Sequence, residues 1–377
     1  MPFAKAADML TRFTGTPLSA STALRHTETI GLAYDAVQLA EVEQIERDWP
    51  QAPPGPQKLL LSVDGAFVPL LHGEWAEVKT LAVGEVGQAH LVKGEVVVPT
   101  LKLSYFSRLS DAQTFQRLTL GELHRRGLER ALEAACVGDG AEWIVGFAEY
   151  HCPEALQIVD FAHAAGRVCE IGEAVLGSGH ASLAAWRERR LHQLKHGEPG
   201  ELLKELKEFA KEHLEEERVA HNLAYLEKRV EQIAYRRFAE AGWPIGSGMV
   251  ESANKVVVEA RMKGAGMHWS RASVDGMLAL RNAVCNDRWE EAWERSAERI
   301  REEGVVRREI TAKQKQTAEQ KAEVQQECGE VNQPAIEVAQ ANEEAPQEGV
   351  KRKPAADHPW RRTNYATKAR MVQAAAS

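Results

Sequence analysis

The sequence predicts an α/β domain built on a mixed sheet, interrupted by an all-helical insertion and followed by a disordered tail. Three observations carry this. Apolar runs of strand length alternate with helical periodicity between residues 58 and 178. Apolar positions recur at helical spacing through a stretch rich in Leu, Glu, Lys and Arg from 180 to 240, including ELLKELKEFAKEHLEEE and LAYLEKRVEQIAYRRF. From about Thr311 to Val350 the composition turns to Gln, Glu and Ala with almost no aromatic residue, which predicts a weakly ordered linker. At 377 residues the chain can bury a substantial core and hold two or three structural units.

Residues 1–49 read as helical: AKAADMLTRF, a turn at Gly15, Thr16 and Pro17, and a second helix opening near Ser19 to Ser21. Two readings are open here. A helix-turn-helix unit would place one helix in the DNA major groove, while an ordinary hairpin would pack on the core, and neither helix is especially basic. PQAPPGPQ (50–57) breaks any helix and marks a boundary. Three strand-like runs follow, LLLSVDGAFVPL (59–70), AEVKTLAVGEVG (76–87) and EVVVPTLKLSYFS (95–107), with turns short enough for an antiparallel meander. A helix capped by Asp111 is expected to run to about Arg126 and to continue through LERALEAA. ACVGD then reads as a buried strand, AEWIVGFAEYH as a helix, LQIVD as a strand and FAHAAGRVCEIGEAVLG as a helix.

The resulting order, β-β-β-α-β-α-β-α, is the one expected of a ribonuclease-H-like domain. The implied organisation is a helical, helix-turn-helix-like segment (1–49), the first part of the core (58–178) and the helical insertion (179–242). The last catalytic helix with the C-terminal helices of the core (243–310) follows, then a linker and basic tail (311–377).

Formal net charge is -8, which at first argues against a nucleic-acid partner, because phosphate binding depends on Lys and Arg. The distribution matters more. Residues 311–350 hold eight Glu against three Lys, and residues 351–377 hold seven Lys or Arg against one Asp, so local patches would have to hold DNA. The five cysteines contain no C-x-x-C pair, so neither a zinc knuckle nor a disulfide framework is indicated. No run approaches a membrane span and the first residues lack a signal-peptide pattern, which predicts a cytoplasmic, nucleoid-associated protein with no membrane partner.

Three acidic residues stand out as chemistry. Asp64 ends an apolar run where a buried charge needs compensation, supplied either by a metal ion or by a hydrogen-bonded turn at Gly65. Asp139, between Gly138 and Gly140, sits at a strand-to-helix edge, where open sheets gather functional groups, although it also suits a helix N-cap. Glu251 in GSGMVESANK falls in the first turn of a helix, a position that dipole compensation also favours. Together the three suit Mg²⁺ (or Mn²⁺), a hard cation that prefers carboxylate oxygen, and paired ions of this kind support phosphoryl transfer.

Asp160 and His163 are accessory candidates, His163 as a group that positions a phosphate or a water, with a helix cap and a satisfied helix histidine as the plainer alternative. Arg261, Lys263, His268, Trp269 and Arg271 interleave cations with an aromatic ring and so suit DNA contact, against a solvated loop with Trp269 in the core. Arg361 and Arg362 of the tail are further DNA-binding candidates. His192 and His196 have metal-ligand spacing but no further ligands.

Taken in order, SVDGAFV, VGDGAEWI, IVDFAHA, GSGMVESANK, GMHWS and HPWRR resemble a DDE-type transposase of the bacterial ISKra4 insertion-sequence family, from about residue 3 to residue 362. The resemblance implies a ribonuclease-H-like core with a helical insertion and a metal-binding triad of Asp64, Asp139 and Glu251. It also implies double-stranded DNA as partner, at element ends and target, and a homo-oligomer on DNA. Such proteins usually carry an upstream region with paired cysteines that this chain does not show, so a truncated, non-catalytic DNA-binding remnant or repressor is one alternative. A structure-selective ribonuclease-H-like nuclease is another.

Overall fold

The computed structural model describes residues 1–92 and 95–329. The chain opens with α1 (Phe3–Thr14), closed by Gly15 at a left-handed φ of 69°, and α2 (Ala20–Asp48), whose Ser19 cap accepts the Thr22 N–H. After the proline-rich break come β1 (Lys58–Pro69), β2 (Trp75–Val86), a small hairpin of β3 (His90–Val92) and β4 (Glu95–Val97), and β5 (Thr100–Arg108). Next are α3 (Ala112–Leu118), α4 (Leu120–Arg125), β6 (Glu133–Gly138), α5 (Glu142–His151), β7 (Leu156–Val159) and α6 (Phe161–Leu176). The insertion is helical throughout: α7 (Leu183–His196), α8 (Pro199–Phe209), α9 (Glu217–Lys228) and α10 (Tyr235–Glu240). Then follow α11 (Gly248–Ala253), a π-helical turn over Asn254–Glu259, α12 (Ala260–Met262), α13 (Arg271–Cys285) and α14 (Trp289–Gly329).

The five main strands form one mixed sheet in the order β5-β2-β1-β6-β7. β1 runs antiparallel to β2 and parallel to β6, β2 runs antiparallel to β5, and β6 runs parallel to β7. Strand alternation sorts the core of β1 onto two faces. Leu59, Leu61 and Val63 pack with Phe106, Phe115, Ile144 and Phe147 under α3 and α5. Leu60 faces the other way, joining Val137, Ile158, Val168 and the insertion's Leu202, Leu206 and Leu226, while Ala66, Val68 and Leu70 meet Val257, Met262 and Leu278. Asp64 lies on this second, even-numbered face, toward α6 and the helices after residue 247.

The described structure departs from the sequence-based expectations in three places. The run 95–107 is two strands, because the chain first folds into the β3/β4 hairpin. The helical pattern through LERALEAA gives way to a single 3-10 turn (Leu128–Arg130) and β6: parallel pairing of Ala134 and Ala135 with Leu59 and Leu60 overrides local alanine preference. The expected linker does not begin at residue 311, since α14 continues to Gly329 on Ala, Gln, Lys and Glu, all adequate helix formers. The remainder of the predicted linker and the basic tail, including Arg361 and Arg362, lie outside the described residues.

The N-terminal helices pack as a hairpin on the core. Residues 1–311 form one compact unit, within which Gly31 of α2 crosses Gly276 of α13 with the two backbones in contact. Arg108, 2% exposed, reaches across to α2, where Asp35 Oδ1 lies 2.9 Å from its Nε and the Gln38 carbonyl oxygen accepts from Nη2. Among the described residues no helix is long and apolar enough to cross a membrane.

Candidate active site

Strand register brings two of the three carboxylates together. The last parallel pair between β1 and β6 is Ser62 with Val137, and the last between β6 and β7 is Gly138 with Val159. Continuing each ladder sets Asp64 opposite Asp139, and Asp139 opposite Asp160. The ladders therefore direct the three aspartates to one end of the sheet, Asp64 within β1 and Asp139 and Asp160 as the first residues after β6 and β7. This is the carboxyl edge of the parallel part of the sheet, where β6 and β7 stop and their backbone donors give way to loops.

Asp160 brings the third carboxylate. It is 3% exposed, caps α6 by accepting the His163 N–H at 3.1 Å, and accepts the Ser247 N–H at 2.6 Å. Phe161 N–H donates to the Ile245 carbonyl beside it. These bonds pin the Gly-rich turn WPIGSG to the end of β7, and Glu251 follows one helical turn after Ser247. Asp160 is thus a buried clamp, and its three acceptor contacts, including His163 Nδ1 at 3.2 Å, drive its carboxyl well below the usual carboxylate range against the opposing effect of burial.

His163, half exposed, has its pKa raised above the ordinary 6.5, first by the Asp160 bond and further by the charges of Asp160, Asp139 and Asp64. Because the folded His163 pKa is raised, the stability it contributes is complete below about 6.5 and is lost as pH climbs through the folded value. Because the folded Asp160 pKa is depressed, its contribution is present above about 3.9 and fails only in acid. An NMR titration of His163 should therefore show an elevated pKa that falls toward 6.5 in Asp160→Asn; an unchanged value would mean that the contact is not formed in solution.

Asn254 was not legible as a site residue. It lies three residues after Glu251, on the same face of the helix, and donates from Nδ2 to Asp64 Oδ2 at 2.9 Å. It is buried, its Oδ1 has no partner among the described residues, and it opens the π-helical turn. The other Asp64 oxygen accepts the Gly65 N–H at 2.7 Å, so the turn expected at Gly65 is present.

Burial lifts the Asp64 carboxyl above its usual range, the Gly65 N–H opposes that shift, and the charges of Asp139 and Glu251 raise it further while His163 lowers it. The three carboxylates thus act electrostatically on one centre. Asp139 Oδ1 is turned into its own loop, accepting the Ala141 N–H at 2.8 Å, and Glu251 is exposed. With the side chains so placed, no three His, Cys, Asp or Glu among the described residues stand close enough to hold a metal ion. The donor chemistry still suits a hard divalent cation. The groups are carboxylate oxygens, with no thiolate, the donor type that a hard divalent cation prefers.

The proposed DNA-contact segment divides. Trp269 is 7% exposed, packs with Met262 and Leu278 and donates Nε1–H to the Met262 carbonyl, so its ring is core and cannot stack on a base. Arg261 is half-buried between the rings of Phe3 and Trp269, at 4.7 and 4.9 Å from their centroids, and Lys263 pairs with Glu259. His268 Nδ1 lies 3.3 Å from the Leu70 carbonyl. Arg271 is exposed, and its side chain has no hydrogen-bond or salt-bridge partner among the described residues. The His192 and His196 rings lie tilted against each other, 4.8 Å between centroids, and among the described residues no carboxylate or thiol completes a metal-binding set with them. No protein-family model matches the chain, and no curated protein sequence matches it.

Proposed function

We propose that this chain is a metal-dependent DNA strand-transfer enzyme, a DDE-type transposase of the kind its motifs resemble, with Asp64, Asp139 and Glu251 as the metal-binding carboxylates and Mg²⁺ or Mn²⁺ as cofactor. The observation that carries the reading is the register: continuing the β1/β6 ladder puts Asp139, the residue after β6, level with Asp64 of β1, and the Asp160–Ser247 bond ties the turn before the Glu251 helix to the end of β7. The strand order, three antiparallel strands with two parallel ones added beside β1, supports a ribonuclease-H-like reading of the sheet.

Bound divalent ions would activate an attacking oxygen and stabilise charge developing at phosphorus. The chain's own groups do the rest. Asp64 presents its carboxylate from strand β1 and Asp139 from the turn just after β6, and Asn254 holds Asp64 through one oxygen. His163, half exposed and with its pKa raised by the Asp160 bond, stands beside the carboxylates and in its protonated form offers Nε2–H to a non-bridging phosphate oxygen. Exposed Arg271 supplies charge for the DNA backbone.

Purified protein incubated with duplexes carrying the DNA that flanks its reading frame should nick the end in Mg²⁺ or Mn²⁺, leave a 3′-hydroxyl, and join that end to a second duplex. Salt-sensitive binding with no cleavage in either metal would instead indicate a DNA-binding remnant. Cleavage of branched DNA without joining would indicate a nuclease on the same core.

A further inference from the structure

We propose that the helical insertion sets the carboxylate site, with Arg229 and Tyr225 of its third helix and Arg167 of α6 acting as positioning residues for Asp139. The inference rests on the metal-dependent reading above and extends it to a part of the chain to which no role has been given.

The insertion grips the turn after β6 through its backbone. Tyr225 donates its hydroxyl to the Asp139 carbonyl at 2.5 Å. Arg229 donates from Nη2 and Nε to the Gly140 carbonyl, at 2.5 and 3.2 Å, and from Nη1 to the Tyr225 carbonyl at 3.2 Å. The Tyr225 ring is stacked between two guanidinium groups, Arg229 at 4.0 Å and Arg167 at 4.6 Å from its centroid. Arg167 is one helical turn beyond His163 and is tied back to the insertion through Asn222, which also binds Glu170. Among the described residues neither Arg167 nor Arg229 has a carboxylate within salt-bridge distance.

Gly140 shows that the turn and the arginine fit each other. It has φ of +78°, a conformation that L side chains rarely adopt, and a Cβ there would lie 2.5 Å from Arg229 Nε and 3.0 Å from the Tyr225 hydroxyl. The contacts fall on the carbonyls of the two successive peptides that follow the Asp139 Cα, Asp139–Gly140 and Gly140–Ala141, so they restrain the turn from which the Asp139 side chain projects. They do not use its carboxylate, one oxygen of which has no donor among the described residues. A turn held in this way takes up a cation without first being ordered, and charge-assisted bonds from a guanidinium are the strong form of such a restraint.

The test uses the full-length chain and its variants Arg229→Gln, Arg229→Lys and Tyr225→Phe, the last of which keeps the stacked ring. In metal-free protein, hydrogen exchange at the amides of residues 139–141 should quicken in Arg229→Gln and less in Tyr225→Phe. The Mg²⁺ concentration giving half-maximal binding by calorimetry, and half-maximal nicking of duplex ends, should rise roughly tenfold in Arg229→Gln, about the cost of re-ordering one residue of backbone. Arg229→Lys should recover part of the loss, and DNA binding should be unchanged.

A variant that loses activity only in proportion to its unfolded fraction, with an unaltered Mg²⁺ requirement, overturns the proposal. If Arg229→Gln fails to fold, an unaltered requirement in Tyr225→Phe overturns it equally. Wild-type protein with no divalent-ion affinity removes the metal-dependent reading and this one with it, whereas wild-type binding matched by the variants removes this one alone.

Discussion

Asp139→Asn should abolish metal-dependent strand cleavage, lowering the rate by at least roughly a thousandfold, equivalent to about 4 kcal/mol of lost charge stabilisation. The change is nearly isosteric. The carboxamide keeps an oxygen to accept the Ala141 N–H, and the bonds from Tyr225 and Arg229 fall on backbone carbonyls that the substitution leaves alone. DNA binding and the melting temperature should therefore be close to wild type while nicking is lost, measured on the same preparation by gel assay, filter binding and circular dichroism. Retained Mg²⁺-dependent cleavage would remove Asp139 from the chemistry.

Asp64→Asn sharpens the same argument because its effect on stability has a definite sign. The Asp64 carboxyl is raised by burial and by its acidic neighbours, so in metal-free protein the charged form is disfavoured by the fold. Its stabilising contribution is complete below the unfolded carboxyl value, about 3.9, and is lost as pH rises through the folded one. A neutral amide removes that penalty. An Asn254 side-chain flip then brings the presently unpartnered Oδ1 to the new donor. The metal-free variant should melt at or above the wild-type temperature near neutral pH while losing cleavage, as expected of a site kept for function at a cost in stability. A marked fall in melting temperature would show that Asp64 is held for structure.

Gly31→Val should unfold or nearly unfold the N-terminal hairpin from the core. A Cβ at Gly31 would lie 2.5 Å from the Gly276 carbonyl oxygen and 2.7 Å from its carbon, backbone atoms that cannot swing away. Alanine there gains roughly 1 kcal/mol of helix propensity. Overpacking costs about 1 to 3 kcal/mol, so Gly31→Ala should be net destabilising. Valine adds two methyl groups to the same collision and should cost roughly 3 to 5 kcal/mol, since separating α2 from α13 also opens the contact of Tyr34 and Val37 with Ala279 and Ala283. Gly166→Ala, in α6 with no atom within 4 Å of the added carbon, is the control and should stabilise by up to about 1 kcal/mol. Urea midpoints for the three proteins decide the matter, and wild-type stability in Gly31→Val would mean that the helices do not cross there.

Local chemistry made much of the fold readable in advance. The apolar runs of β1 and β2, the Asp111 and Ser19 caps, the proline-rich break and the all-helical insertion are found where hydrophobic period and capping residues placed them. These features depend on neighbours within one turn or one strand. What failed depended on distant partners: Glu133 and Ala134, read as the end of a helix, are captured by β1 as the start of β6, and Trp269 looks available for stacking until Met262 and the β1 tip enclose it.

The site divides along the same line. Sequence alone determined the acidic residues themselves, because a carboxylate after an apolar strand or between two glycines is a local anomaly that a reader can see. Only the tertiary structure decided that Asp160 binds the Ser247 N–H, that Asn254 donates to Asp64, and that Tyr225 and Arg229 hold the carbonyls of Asp139 and Gly140. The physical reason is that register, buried hydrogen bonds and close backbone approach are relations between segments separated by many residues, and no spacing in the chain encodes them.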